Sequence, residues 1–193
     1  MSEKKNTILL AGLGLTALSA LGYLVVVRSK SSTNKITNSS KPEIDAPSKK
    51  ERPIITPTLF GIIRPDDFHG SGQFGASRGH RTHKGVDYSV DEKDPILAPI
   101  YGRISRYPYP YAGDIHYKGI EIIGLEEHSA YKVKLFYVNP SIAIGTIVEP
   151  GTIIGYAQNI SARYGPALSM NNHVHMEIYK NGKIIDPNTV TTV

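Results

Sequence analysis

Two short stretches hold side chains that could share a divalent cation. In "HRTHKGVDYSV", residues 80–90, His83 and Asp87 stand four apart around Gly85; in "NHVHMEIY", residues 172–179, His173 and His175 stand two apart with Glu177 beyond them. A four-residue spacing suits one helix face, but Gly85 and the alternation of "GVDYSV" predict a loop entering a strand, with His83 on the loop and Asp87 on the strand. Alternation makes the second stretch a strand as well, with His173, His175, Glu177 and Tyr179 on one face and Val174, Met176 and Ile178 on the other. A face with two imidazoles and a carboxylate is costly to cover unless something cationic or wet lies against it. An imidazole and a carboxylate from the first stretch, joined by one imidazole of the second, make the three-ligand set of a catalytic zinc, which keeps a fourth position for water. The alternative, on the residues alone, is a β domain whose histidines are incidental.

The elements that must bring these residues together read as sheet. From about residue 56 the chain is a series of short alternating or β-branched runs broken by Gly, Pro and Asp, among them "PILAPIYGRISRY", "KGIEIIGL", "YKVKLFYV" and "GTIIGYA". No stretch after Val27 keeps helical periodicity for three turns. "GIEIIGLEEHSAYKVKLFYV" predicts a hairpin with Glu126, Glu127, His128 and Ser129 near its tip. The expected class is mainly β with antiparallel pairing, its edges and loops supplying the site. Outside the two stretches, His69 and His80 read as solvated turn residues, His128 lies at the hairpin tip, and His116 is ambiguous.

A chain of 193 residues accommodates one domain and an accessory segment. Its formal charge of +5 resides entirely in residues 1–55, which carry nine Lys/Arg against four Asp/Glu; the remainder is neutral. A neutral body without a basic stripe offers phosphates no footprint, so nucleic acid is not an expected partner. Cysteine is absent, which removes disulfides, thiolate ligands and thiol nucleophiles and leaves any metal to His and carboxylate. Residues 7–27 carry no charge and as a helix would span about 31 Å, the thickness of a bilayer core. The rival reading is a cleaved signal peptide ending at Ala17-Leu-Ser-Ala20, but the apolar run continues to Val27 beyond it. The expected organisation is a flank at 1–6, one transmembrane helix at 7–27, a Ser-, Lys- and Pro-rich linker at 28–55, and a single domain at 56–193. Lys4 and Lys5 lie on one side of the apolar run and Arg28, Lys30, Lys35 and Lys41 on the other, so charge does not fix the orientation.

With these residues in this order the sequence resembles the lysostaphin and LytM type of zinc endopeptidase, the group that shares the duplicated hybrid motif fold. That family is marked by H-x-x-x-D followed by H-x-H, matched here by His83 to Asp87 and by His173-Val-His175. Supporting matches are "QFGASRGHRTHKGVD", "ILAPIYGRI", "VEPGTIIGYA" and "IIDP", so that the likeness covers roughly residues 70–187. The resemblance implies an antiparallel sheet whose groove holds one Zn2+ on His83, Asp87 and His175, with His173 acting in catalysis. It also implies bacterial cell-wall (peptidoglycan) peptide as substrate; a membrane-anchored body reaching that substrate would lie outside the cytoplasm.

One departure bears on activity. Active members carry a further catalytic histidine in a Tyr-x-His segment, and here "KLFYVNPSIAIG" puts Asn139 in its place. Asn139 keeps an amide donor, so it is a possible substitute, but it cannot carry charge or shuttle a proton. In this respect the chain resembles more closely the leukocyte cell-derived chemotaxin variant of the fold, through "GSGQF", "HKGVD", "VKLFYVNP" and "HVHMEI". Two functions follow: a zinc metalloendopeptidase with impaired catalysis, or a catalytically silent zinc module that binds wall peptide or a protein partner.

Overall fold

The structure, a computed structural model, describes residues 51–165 and 170–193. Its strands are short because Gly, Pro and Asp interrupt each apolar run, and nearly all pair antiparallel, as the sequence predicts. Across the main seven-stranded sheet run Ile147–Val148, Gly102–Arg106, Gly119–Gly124, Tyr131–Phe136 and His173–Lys180. The far edge of His173–Lys180 is shared: its first half pairs with Val86–Ser89 and its second half with Lys183–Ile185. A three-stranded sheet, ordered Pro95–Leu97, Ile153–Ala157, Val138–Pro140, completes the core.

Strand alternation decides what the core receives. Val174, Met176 and Ile178 are fully buried in one cluster with Ile104, Ile120, Ile122, Val133 and Leu135 from neighbouring strands and Ile96, Val138 and Ile154 from the smaller sheet. The opposite face of the same strand carries His173, His175, Glu177 and Tyr179, as alternation requires. The expected hairpin is present: Gly119–Gly124 and Tyr131–Phe136 pair through a single 3-10 turn, Glu126–His128. His128 is buried there, and its Nδ1 accepts a hydrogen bond from the Tyr101 amide at 2.9 Å, which makes it a structural residue.

The first described strand, Ile54–Ile55, lies at the end of the segment expected as linker. These two residues pair in parallel with Thr191–Thr192, so the first and last described strands lie side by side. Just before them Arg52 contacts Glu127 at 2.8 Å, Glu149 at 2.6 Å and Glu126 at 3.2 Å, and its guanidinium lies 3.9 Å from the centroid of the Tyr101 ring. Among the described residues no helix is long and apolar enough to cross a membrane. The transmembrane helix expected at 7–27, and the linker up to residue 50, lie outside the described residues.

Adjacent isoleucines on one strand test this assignment of faces. Ile122 is fully buried and Ile123 is 39% exposed. Ile122→Ala is expected to lower unfolding free energy by about 2–5 kcal/mol through the cavity it leaves. Ile123→Ala is expected to stay within about 0.5 kcal/mol of the parent; chemical denaturation measures both.

Candidate metal centre

Pairing register creates the centre. Val86–Ser89 and His173–Lys180 align so that Asp87 lies directly opposite His175. Close approach depends on Gly85, where an added β-carbon would lie 2.2 Å from the Met176 carbonyl oxygen and 2.8 Å from the His175 ring. His83 arrives from the preceding loop, held by two main-chain hydrogen bonds, from its amide to Ala76 and from the Gly75 amide to its carbonyl. The loop-then-strand reading of "HKGVD" therefore holds.

The three donor atoms converge. Asp87 Oδ1 is 2.8 Å from His175 Nδ1 and 3.1 Å from His83 Nε2, and the two nitrogens are 3.0 Å apart. Zinc bonds of the usual length put tetrahedral ligands about 3.3 Å from one another, so a slight widening of this triangle admits the ion. The tautomers agree with that use. His83 Nδ1 lies 2.7 Å from the Gln73 carbonyl oxygen and donates to it, which leaves the Nε2 lone pair facing the centre. His175 has Glu177 Oε1 3.7 Å from its Nε2, and Glu177 in turn accepts a 2.7 Å hydrogen bond from the Tyr179 hydroxyl. Although burial opposes charge on His175, its bonds to Asp87 and Glu177 push it up to about 9.

His173 stands slightly apart. Its Nδ1 is 2.8 Å from the Asn171 carbonyl oxygen, which fixes that nitrogen as the donor and points Nε2 toward Asp87 Oδ1 at 3.7 Å. Burial pushes its pKa down to about 4, so it is a neutral imidazole with a free lone pair near pH 7. Asp87 shows the opposite balance. Burial raises its pKa, but the hydrogen bond from His175 leads the influences that outweigh it and hold the carboxyl well below the ordinary range.

Sequence reasoning missed Arg64, which is 2% exposed. Its Nη2 and Nε lie 3.1 and 3.3 Å from Asp87 Oδ2, on the far side of the carboxylate from the imidazoles. Arg64 Nη1 pairs with Asp67, whose Oδ2 accepts from the Asn171 amide at 3.0 Å. Asn171 is the residue that holds His173, so a continuous polar chain runs from His173 through Asn171, Asp67, Arg64 and Asp87 to His175.

The centre opens into a cavity of about 370 Å3 whose walls include His83, Asp87, His173, His175, Arg78, Arg81 and a group of tyrosines. His69 lines it too, 4.4 Å from the Tyr164 ring between centroids, whereas His80, His116 and His128 do not. Asn139 is not brought to this cavity. It is exposed on the edge of the smaller sheet, paired with Tyr156, and the residues that this stretch contributes to the wall are Phe136 and Tyr137. Burial, the largest influence, pushes the Tyr137 phenol up to about 12.

Comparison with known proteins agrees with the motifs. The family model described as peptidase family M23 matches residues 81–187. A Haemophilus influenzae protein described as an uncharacterized metalloprotease is 29% identical over 127 residues, 62% of this chain and 24% of its own length. Leukocyte cell-derived chemotaxin-2 of Bos taurus is 29% identical over 126 residues, 65% of this chain and 76% of its own. Among solved structures, Helicobacter pylori Csd3 superposes with a TM-score of 0.52 at 24% identity, over 74% of this chain and 34% of Csd3. A zinc containing peptidase from Vibrio cholerae gives 0.50 at 17% identity, over 70% and 39%. The chain thus spans about a quarter of the Haemophilus relative's length; the two superpositions establish likeness of fold.

Arg64→Met keeps the volume of the stem and removes the charge. It removes the guanidinium from the buried Asp87 and from Asp67, and the expected cost is about 3–5 kcal/mol of stability by denaturant unfolding. Loss of Asp87's orienting partner is expected to weaken Zn2+ affinity about 10–100-fold in competition with a chromophoric chelator.

Proposed function

The chain belongs to peptidase family M23, and from that premise we propose that it is a zinc-dependent endopeptidase acting on the peptides of bacterial cell walls. The observation that carries this reading is the convergence of His83 Nε2, Asp87 Oδ1 and His175 Nδ1 beside a neutral His173 in one open cavity. In this reading His83, Asp87 and His175 hold Zn2+, and the two imidazoles and single carboxylate leave the ion a net positive charge. Zinc there would supply Lewis acidity, polarising a peptide carbonyl and acidifying water. His173 is the general base: its Nε2 lone pair, kept free by the bond from Nδ1 to Asn171, takes a proton from the attacking water and returns it to the departing amine. Arg64 holds the Asp87 carboxylate in register and offsets its burial. With residues 7–27 as an anchor and the segment after them as a tether, the domain would reach wall peptide from a membrane, outside the cytoplasm.

A second reading has a specific observation in its favour. Asn139 stands where active members carry a second catalytic imidazole, and it is exposed and off the cavity. In this reading the domain binds wall peptide or a protein partner through a zinc centre without cleaving it.

Zinc-loaded protein incubated with peptidoglycan and with glycine-rich peptides is expected to release new amines, and a chelator is expected to abolish the release. His173→Ala is expected to lower the rate about 10²–10⁴-fold while stoichiometric zinc is retained by elemental analysis. Retention on insoluble wall material without amine release would replace the peptidase by the silent binder.

A further inference from the structure

The run "KLFYVNP" does not continue as one strand. Tyr131–Phe136 belongs to the main sheet and Val138–Pro140 to the smaller one, and between them Tyr137 takes a left-handed conformation with φ 66°. A β-carbon disfavours that conformation, and two hydrogen bonds hold it in place: the amides of Tyr137 and Val138 both donate to the Lys118 carbonyl, at 2.8 and 3.1 Å. Strained backbone held in this way concentrates at functional sites. Its effect here is to break alternation, so that Phe136 and Tyr137 both line the cavity and Asn139 turns outward.

The Tyr137 ring stands edge-on to His173, with centroids 5.2 Å apart and planes at 88°. Its hydroxyl is 3.1 Å from that of Tyr111, which is 3.3 Å from that of Tyr164. All three line the cavity. Three hydroxyls joined by two contacts use two of their three protons, so one O–H has no acceptor within the chain of contacts. When Tyr164 donates to Tyr111 and Tyr111 to Tyr137, the unused proton is that of Tyr137, and the two bonds behind it polarise the group.

We infer that the Tyr137 hydroxyl donates a hydrogen bond to the oxygen of the scissile carbonyl, supplying the stabilisation that Asn139 does not. The inference rests on the peptidase reading. As the water oxygen bonds to the carbonyl carbon, its proton passes to His173 Nε2 and the π pair moves onto the carbonyl oxygen. Tyr137 strengthens its bond to that oxygen without giving up its proton. Re-formation of the carbonyl then breaks the C–N bond, and the leaving nitrogen takes the proton back from His173. Tyr111 is a positioning residue, acting only through Tyr137.

The test is Tyr137→Phe in the full zinc-loaded chain, with two readouts. Steady-state hydrolysis of a wall peptide is expected to show kcat reduced about 100–1000-fold, with KM little changed and zinc stoichiometry intact. Calorimetric binding of a phosphinic peptide, whose tetrahedral phosphorus mimics the adduct, is expected to weaken by a similar factor, while binding of the parent peptide to a His173→Ala background barely moves. Tyr111→Phe is expected to cost several-fold. Where Phe disturbs folding, 3-fluorotyrosine at 137 preserves the ring and acidifies the phenol, and the alkaline limb of the kcat profile is expected to move to lower pH. A Phe variant equal to wild type in kcat and phosphinate affinity, or a fluorotyrosine profile equal to wild type, overturns the inference and leaves the peptidase reading standing. A wild type that neither cleaves nor binds the phosphinate removes both. A wild type that binds the phosphinate without cleaving removes the peptidase reading and, with it, the role at a scissile carbonyl.

Discussion

A slip of one residue between Val86–Ser89 and His173–Lys180 would turn His173 and His175 into the core and push Val174 and Met176 onto the polar face. The antiparallel register that sets Asp87 against His175 is therefore the constraint on which the centre depends. It is enforced from both sides. The core accepts only the Val174, Met176 and Ile178 face, and the backbones close up only because residue 85 has no side chain to place between them. Phe136, opposite His175 on the other edge, completes the wall.

Register brings the groups together, and electrostatics makes the gathering tolerable. A carboxylate as buried as Asp87 would be strongly destabilising alone. Its two oxygens have separate partners, one facing Arg64 and the other facing imidazoles. Because Arg64 also pairs with Asp67 and Asp67 holds Asn171, the same network that neutralises Asp87 fixes the tautomer of His173. The ligand set and the neighbouring base are thus parts of one preorganised unit, and perturbing either end should be felt at the other.

Much of this was legible in the residues. Alternation in "NHVHMEIY" assigns each side chain to its face, and glycine with β-branched residues in "HKGVD" marks the passage from loop to strand. Other parts carry no local signal. Arg64 sits in "FGIIRPDD" with no periodicity to mark it, and its partner lies 23 residues on. The acceptor that sets the tautomer of His83 is a main-chain carbonyl, which residue types do not reveal. "VKLFYVNP" reads as unbroken strand, yet the chain must leave one sheet for another within it, and tertiary demand overrides alternation at Tyr137. That single reversal is why Asn139, aligned by motif with a catalytic position, lies elsewhere.

The parallel pairing of Ile54–Ile55 with Thr191–Thr192, next to the Arg52 cluster, also has a mechanical side. Tension entering from the amino-terminal direction meets that cluster and the short ribbon first. A domain loaded from that end would begin to yield at its seam by local fraying.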